Sequence, residues 1–351
     1  MKKIITLLLT LTLLLSCVTL LPACGNLADS ETDGSTESNV PETDNDETEG
    51  NVTLDTDLDI RVSVLNGTTG FGAAQLMDAT KNGKAALKYD FKVETDASVI
   101  NTGLINNEID IAALPTNAAS VLYNKTEGGV KVIALNTLGV LYVVENGNTV
   151  NSLADLAGKT VYCPAQNPEF IFRAVCQMGG VENVTVDTTY AQPAALMSAV
   201  AASEEGMIAV LPEPVLSVAM NKNANLRVAL DLTDEWSQNK GSASLVQGCI
   251  VVRTAFLEEH PAEVAKFLEE YKASIEFLNS NVADAANMVV DLGIYAGAAA
   301  VAEKAIPKCN IVYMDGEEMQ TALSAFLEVM YGVAPASVGG KLPEADFYYK
   351  K

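Results

Sequence analysis

Two glutamates are the side chains in this sequence best suited to proton chemistry. Glu169 follows Pro168 and Glu213 lies between Pro212 and Pro214, so each falls in the first turn of an expected helix. A carboxylate pair can act as general acid and base, but no nucleophile or metal cluster accompanies this one. At a helix start a carboxylate also interacts favourably with the helix dipole, which is the plainer role for both. The single histidine, His260, precedes Pro261 at another helix start and reads as structural. One histidine leaves little material for a Ser/His/Asp triad or a His-rich metal site. Cys163, Cys176, Cys249 and Cys309 lack paired C-x-x-C spacing, which argues against zinc and leaves buried small hydrophobes or one disulfide as the ordinary explanations. No enzymatic activity, no cofactor and no metal are expected.

What remains is the chemistry of binding. Asn66, Thr68 and Thr69 follow a β-branched run, residues 60–65, with Gly67 and Gly70 flanking the two threonines. Thr116 and Asn117 follow the apolar run 109–114, and Gln166 and Asn167 follow 160–163. Each group offers amide or hydroxyl side chains at a strand-to-helix turn, where turn formation and N-capping are the competing uses. Thr137, with Asn136, ends the run 130–135, and Trp236 stands in a polar stretch, 231–242, where it could stack on a flat ligand or pack in a core. The four turns after residues 65, 115, 163 and 212 contain no Lys or Arg. An anion would therefore need neutral donors or Arg173, one helical turn inward from Glu169, and the balance tilts toward a neutral or cationic ligand such as an amine or nitrogen heterocycle.

The elements that must position these residues alternate. Strand-like runs at 60–65, 89–93, 109–114 and 130–135 are separated by stretches of helical spacing, and a second series runs from 141 to 230 before the apolar strand at 249–252. Residues 261–278 carry an apolar stripe at helical spacing, and further helices are expected over 283–292, 296–305 and 317–331. Such alternation predicts an α/β fold with mainly parallel sheets flanked by helices. In open α/β sheets ligands sit beyond the carboxyl ends of the strands.

Composition narrows the class. The chain of 351 residues carries 45 acidic and 22 basic side chains, a formal net charge of −23, so a phosphate-backbone binder is excluded and no nucleic-acid partner is expected. Hydrophobic residues at 49% suffice for a large core, about two domains by length. Met1-Lys2-Lys3 and the apolar run 4–15 have the order of a secretory signal. Leu21-Pro22-Ala23-Cys24-Gly25 resembles the lipobox of bacterial lipoproteins, with Cys24 as the acylated residue; Leu14-Leu15-Ser16-Cys17 is a rival match followed by more apolar sequence. Residues 26–59 contain twelve acidic and no basic side chains and almost no large apolar ones, which describes a disordered tether.

The body resembles the type II periplasmic-binding-protein fold, specifically the nitrate/taurine/sulfonate and thiamine-precursor group of ABC-transporter substrate-binding proteins. The resemblance rests on 64–70 (VLNGTTG), 109–117 (IDIAALPTN), 153–162 (LADLAGKTVY), 168–170 (PEF), 211–214 (LPEP) and 251–261 (VVRTAFLEEHP), in order along nearly the whole body. Pro164-Ala165-Gln166-Asn167 departs from the Gly-rich turn common in that group, which puts a close backbone cradle for an anion in doubt. The resemblance implies two lobes, 60–138 plus 252–351 and 139–247, joined by crossings at 139–144 and 248–252 with the ligand between them. It implies a signal peptide (1–24), a tether (25–59), and a monomeric lipoprotein on the outer face of a bacterial cytoplasmic membrane. Its partners would be a small molecule, an ABC permease and the permease's ATPase. A ligand-sensing lipoprotein of the same fold and an extracytoplasmic enzyme are the alternatives.

Overall fold

The computed structural model describes residues 54–204, 206–240 and 244–350. The expected signal peptide, the lipidation candidate Cys24 and most of the expected tether lie outside them. The ordered body begins before residue 60. The Asp55 amide donates to Glu263 Oε1 at 2.7 Å, and Asp59 pairs with Lys88 as the first residue of the first strand.

The chain opens with β1 (Asp59–Leu65), the single turn α1 (Thr68–Phe71), α2 (Ala74–Lys81), β2 (Lys88–Glu94) and α3 (Ala97–Ile105). It continues through β3 (Ile111–Pro115), α4 (Thr116–Thr126), β4 (Val130–Leu138) and β5 (Leu141–Asn146). Next come β6 (Thr160–Tyr162), α5 (Asn167–Met178), β7 (Thr185–Asp187), α6 (Pro193–Ala202), β8 (Ile208–Pro212), α7 (Val215–Lys222) and β9 (Leu226–Asp231). After α8 (Leu232–Lys240) follow β10 (Val246–Arg253), α9 (Thr254–Glu259), α10 (Pro261–Ser280), α11 (Val282–Asp291), α12 (Ala299–Ala305), β11 (Ile311–Met314) and α13 (Gly316–Val333).

The strands form two sheets, ordered β11-β4-β10-β3-β1-β2 and β7-β6-β8-β5-β9. Both are mixed. In the first, β1 pairs in parallel with β2 and β3, while β10 runs antiparallel to β3 and β4, and β11 antiparallel to β4. In the second, β6 pairs in parallel with β7 and β8, and β5 is antiparallel to β8 and β9. Four strands of each sheet thus point one way; β5, β10 and β11 are inverted, and of these β5 and β10 are the strands that follow the crossings.

Those crossings are shorter, or earlier, than the sequence suggests. β4 ends in the first sheet at Leu138 and β5 starts in the second at Leu141, so only Gly139 and Val140 pass between them. The return is complete by Val246, which already pairs with Leu138, so 248–252 lies wholly within the first sheet.

Successive residues of one strand serve opposite cores, as the two-residue period requires. In β3, Ala112 and Leu114 enter one core while Ile111 and Ala113 enter another with α2, α10 and α11. The first of these cores is shared by both sheets. Leu141 and Val143 of β5 and Phe172 of α5 join it, and so do Leu323, Phe326, Leu327 and Met330 of α13. The halves are therefore not separately cored. Although α13 follows the strands of the first sheet in sequence, its apolar stripe seals the second half as well. A third core, with Leu196, Leu211 and Leu216, covers the other face of the second sheet.

Candidate functional site

The tips of β1, β3 and β4 from one sheet and of β6 and β8 from the other define the candidate site. At the tip of β1 two glycines do different work. Gly67 has φ +87°, a backbone state that L side chains rarely adopt, and Gly70 sits where a Cβ would lie 2.2 Å from the Leu65 carbonyl oxygen. The turn is fixed from behind. The Asn66 amide donates to the Glu94 carbonyl at 2.9 Å, and the Gly67 amide to that of Ile294 at 2.8 Å. Asn66 is left exposed, with Thr68 and Thr69 half-buried.

At the tip of β3, Thr116 is fully buried and its hydroxyl donates to the Val246 carbonyl at 2.8 Å, tying α4 to the returning strand. Thr116 is thus committed to the framework. Its neighbour Asn117 is buried too, yet its Oδ1 has no hydrogen-bond partner, which is costly unless something pairs with it. At the tip of β4 the hydroxyl of Thr137 donates to Asn136 Oδ1 at 3.1 Å. The Asn136 amide donates to the Thr69 carbonyl at 2.8 Å and to the Tyr271 hydroxyl at 2.9 Å. Asn136 and Thr137, both buried, therefore brace the β1 turn rather than line an open surface.

In the second half, Gln166 is exposed with φ +66° and Asn167 opens α5 with its Oδ1 buried and unpartnered. Glu169 pairs with Arg173 one turn along α5, at 2.9 Å. Arg173 lines a separate groove of about 430 Å³ with Gln177, Gly180, Glu182 and Val333. That groove draws on the far end of α5 and the end of α13, so Arg173 is not among the strand-tip residues.

Glu213 is 1% exposed, the opposite of the exposed helix end expected from its position between prolines. Its amide donates to the Val140 carbonyl at 3.0 Å, fastening the tip of β8 to the crossing. Its carboxylate accepts from the Ser217 amide at 3.1 Å and the Ser217 hydroxyl at 2.9 Å. Burial pushes its proton affinity up; the Ser217 hydrogen bonds and the charge of Lys308 only partly offset this. Beside it the Val140 amide donates to Gln247 Oε1 at 2.7 Å, so both crossings are pinned at one point.

Trp236 requires a correction. Residues 232–240 form α8 rather than a loop, and Trp236 is fully buried, its ring 5.5 Å from that of Phe326 on α13. Leu232 and Trp236, four residues apart, form the buried face of the helix, and the Thr233 amide donates to Asp231 Oδ1 at 2.8 Å. Trp236 belongs to the shared core and presents no face to a ligand.

Sequence reasoning missed the tyrosines. Tyr162, the last residue of β6, and Tyr190, beyond the end of β7, have ring centroids 6.0 Å apart, and Tyr190 is exposed. Tyr142, at the start of β5, donates to the Lys308 carbonyl across the two halves at 3.4 Å. Tyr295 is buried against Phe71, ring centroids 6.2 Å apart and nearly perpendicular, and its hydroxyl has no partner. A lone Tyr carries no periodic signal of its own. Only the folded arrangement brings these four toward the tips.

The four cysteines of the body are buried and free, and burial pushes each thiol up, Cys176 to about 12. Among the described residues no group of three or more His, Cys, Asp or Glu is placed to hold a metal ion, and no helix is long and apolar enough to cross a membrane.

Two mixed sheets joined by two crossings, with strand tips from both converging on those crossings, define the class of two-lobe binding proteins. The chain belongs to the NMT1/THI5-like family, whose model matches residues 84–285. Among solved structures it is similar to an ABC transporter protein from Parabacteroides distasonis at 25% identity and TM-score 0.71, over 83% of this chain and 99% of that one. It shares its fold with the periplasmic aliphatic sulphonate binding protein SsuA from Escherichia coli at 12% identity and TM-score 0.67, over 83% and 92%. It also shares it with a Candida albicans protein described as having the generic periplasmic binding protein fold, at 13% identity and TM-score 0.54, over 80% and 93%. No curated protein matches the sequence.

Proposed function

We propose that this protein is an extracytoplasmic receptor that captures a small solute between its two halves and delivers it to an ABC permease powered by a separate ATPase. The observation that carries the reading is the convergence of β1, β3, β4, β6 and β8 on the two crossings, with unpartnered buried polar atoms at Asn117 and Asn167 supplied by opposite halves. A solute bridging both halves stabilises whichever arrangement brings them together, which is the signal a permease can recognise. The same reading assigns no turnover to Glu169 or Glu213, since the first is paired with Arg173 and the second is buried against Ser217. Asn66, Thr68, Thr69, Asn117, Gln166 and Asn167 are the proposed contact residues, with Thr116 and Thr137 as their braces.

The lipobox-like segment supplies the location: cleavage before Cys24, acylation there, and a tether through the acidic segment hold a monomer at the membrane, because two acyl chains suffice for stable anchoring. Native mass spectrometry of the purified protein, with small-angle scattering before and after solute removal, tests capture. Retention of a stoichiometric solute and a change in radius of gyration are expected. A protein that carries no solute and keeps one radius throughout refutes the reading. Cys24→Ala should move the protein from the membrane to the soluble fraction, and a variant still sedimenting with membranes refutes the anchor.

A further inference from the structure

The seam between β8–α7 and the region before α12 holds an unusual combination of groups. Glu213 comes from the second half. The donors that reach its carboxylate are the amide and hydroxyl of Ser217, in the first turn of the α7 helix that follows, while Glu213 itself is 1% exposed. Burying a carboxylate beside two neutral donors and no ion-pair partner is expensive. The cation whose charge reaches it, Lys308, is itself exposed.

From the first half comes Tyr295, 8% exposed, its hydroxyl without a partner. Its position is fixed from three sides. The ring meets Phe71 of α1, the Tyr295 amide donates to the Val289 carbonyl at 2.8 Å, and the preceding Ile294 carbonyl accepts from Gly67 in the β1 turn. Tyr295 therefore belongs to the same wall as Thr68 and Thr69. The halves meet here directly, since Val218 of α7 packs into the core that holds Tyr295 and α12. Burial, then the charge of Glu213, makes the Tyr295 proton harder to remove, and the same two causes act in the same order on Cys309. Cys309 already donates to the Ala305 carbonyl, and the Tyr142 hydroxyl to that of Lys308. At this seam the phenol of one half thus has an unfilled hydrogen bond, and the carboxylate of the other accepts from neutral donors with no ion-pair partner.

The chemistry that fills both is a positively charged nitrogen carrying several N–H donors. A charge-assisted hydrogen bond to a buried carboxylate is about twice as strong as a neutral one, and a phenol oxygen accepts a second N–H from the same group. A sulfonate, nitrate or phosphate head group would meet the charge of Glu213 at this point. We propose that the solute is a small organic cation, an amine or amidine, whose charged nitrogen is held between Glu213 of one half and Tyr295 of the other. The proposal rests on the receptor reading above and adds the ligand class and the two residues that recognise it.

The test is calorimetric titration of the full-length protein, stripped of co-purifying solute, with alkylamines, alkyldiamines, benzylamine and benzamidine. Each is compared with an uncharged isostere (an alcohol or amide) and with alkanesulfonates. At least one cation should bind, its isostere at least tenfold more weakly, and Glu213→Gln should weaken the cation by tenfold or more. Tyr295→Phe should weaken it several-fold while leaving the circular dichroism spectrum unchanged; this second variant keeps the test open if Glu213→Gln folds poorly. Isosteres that bind as well as their cations, or two folded variants that bind like the parent, overturn the proposal. Binding of sulfonates alone overturns it and leaves the receptor reading standing. Silence across the whole panel overturns it as well, and the receptor reading is then judged separately by the mass of any co-purified solute.

Discussion

Asp110 is the place where a single charge should be felt throughout the first half. It precedes β3 at the end of the sheet away from the strand tips, and its side chain is 2% exposed. Four donors converge on its carboxylate: the Arg61 amide at 3.0 Å, Arg61 Nε at 2.8 Å, Arg61 Nη2 at 2.6 Å and Arg253 Nη2 at 3.0 Å. β1, β3 and β10 are thereby clamped by one group. Asp110→Asn keeps the shape, removes the charge and turns an amide donor toward two guanidinium groups. Breaking a fully buried ion pair costs about 3–5 kcal/mol; because the Arg61 side chain is 39% exposed and can regain water, the lower end, about 3 kcal/mol, is expected. For a domain this large that is a fall of roughly 6 °C in Tm.

The pH dependence of this effect has a definite sign. Burial alone would raise the Asp110 carboxyl, but the Arg61 and Arg253 hydrogen bonds outweigh it and hold the group below the usual carboxylate range. A depressed native value means that the stabilisation is complete above the unfolded value, about 3.9, and is lost as pH falls through the native one. Scanning calorimetry of both proteins from pH 3 to pH 8 should show the gap widest at neutral pH and closing in acid. A variant melting within 1 °C of the parent at pH 7, or a gap that grows in acid, would refute this account. Solute affinity should be unchanged, because the clamp lies away from the tips.

Two other perturbations separate the framework from the site. Trp236→Ala removes the largest side chain of the shared core and should cost about 3–5 kcal/mol, read as a fall in Tm with solute affinity preserved below the transition; lost affinity at an unchanged Tm would place Trp236 in the site after all. Glu213→Gln should alter stability with the sign opposite to Asp110: burial raises the native carboxyl, so its contribution is complete below the unfolded value, about 4.3, and is lost as pH rises through the native one. Melts from pH 4 to pH 8 should therefore show the variant gaining on the parent as pH rises, with Ser217, Tyr142, Tyr295, Cys309 and Lys308 unaltered around it. A variant that loses ground on the parent as pH rises would mean that Glu213 is held ionised in the solute-free protein.

How much of this was legible in the sequence depends on the range of the interaction involved. The β-branched runs at 60–65 and 109–114 announce strands because their side chains must fill two faces of a sheet, and β1 and β3 stand where those runs do. The Asn-Gly turn after β1 is a local conformational demand, visible as Gly67. Of the two roles open to Trp236, the core one holds, and the helix that places it there is masked by the polar composition of 231–242; the cue that α8 begins there, Asp231 receiving the Thr233 amide, is a capping signal two residues long. The roles of Thr116 and Asn136 were hidden for another reason. Their partners, Val246, Thr69 and Tyr271, lie 67 to 135 residues away, and nothing in a turn sequence reveals whether a hydroxyl will meet a ligand or a carbonyl. Tyr295 is invisible for the same cause, since Phe71, which its ring meets, and Glu213, whose charge reaches it, are supplied by two distant segments.

The shared core constrains how such a receptor can move. Two lobes with separate interiors can swing apart at the cost of a few backbone torsions, but here Phe326 and its neighbours on α13 touch Trp236 of one half and share a core with Leu114 of the other. Pulling α13 away from either sheet would expose apolar surface at about 25 cal/mol per Å², a cost that grows quickly with the area opened. The inexpensive motion is one that leaves α13 seated and bends the chain at the two-residue crossing, Gly139–Val140. That crossing is held by hydrogen bonds near the seam: Val140 to Gln247 and Glu213, and the Gly139 carbonyl to Asn310 Nδ2 at 2.5 Å. A solute that engages Glu213 therefore acts on a group bonded directly to the hinge. Capture and closure are linked through one backbone contact, the Glu213 amide on the Val140 carbonyl.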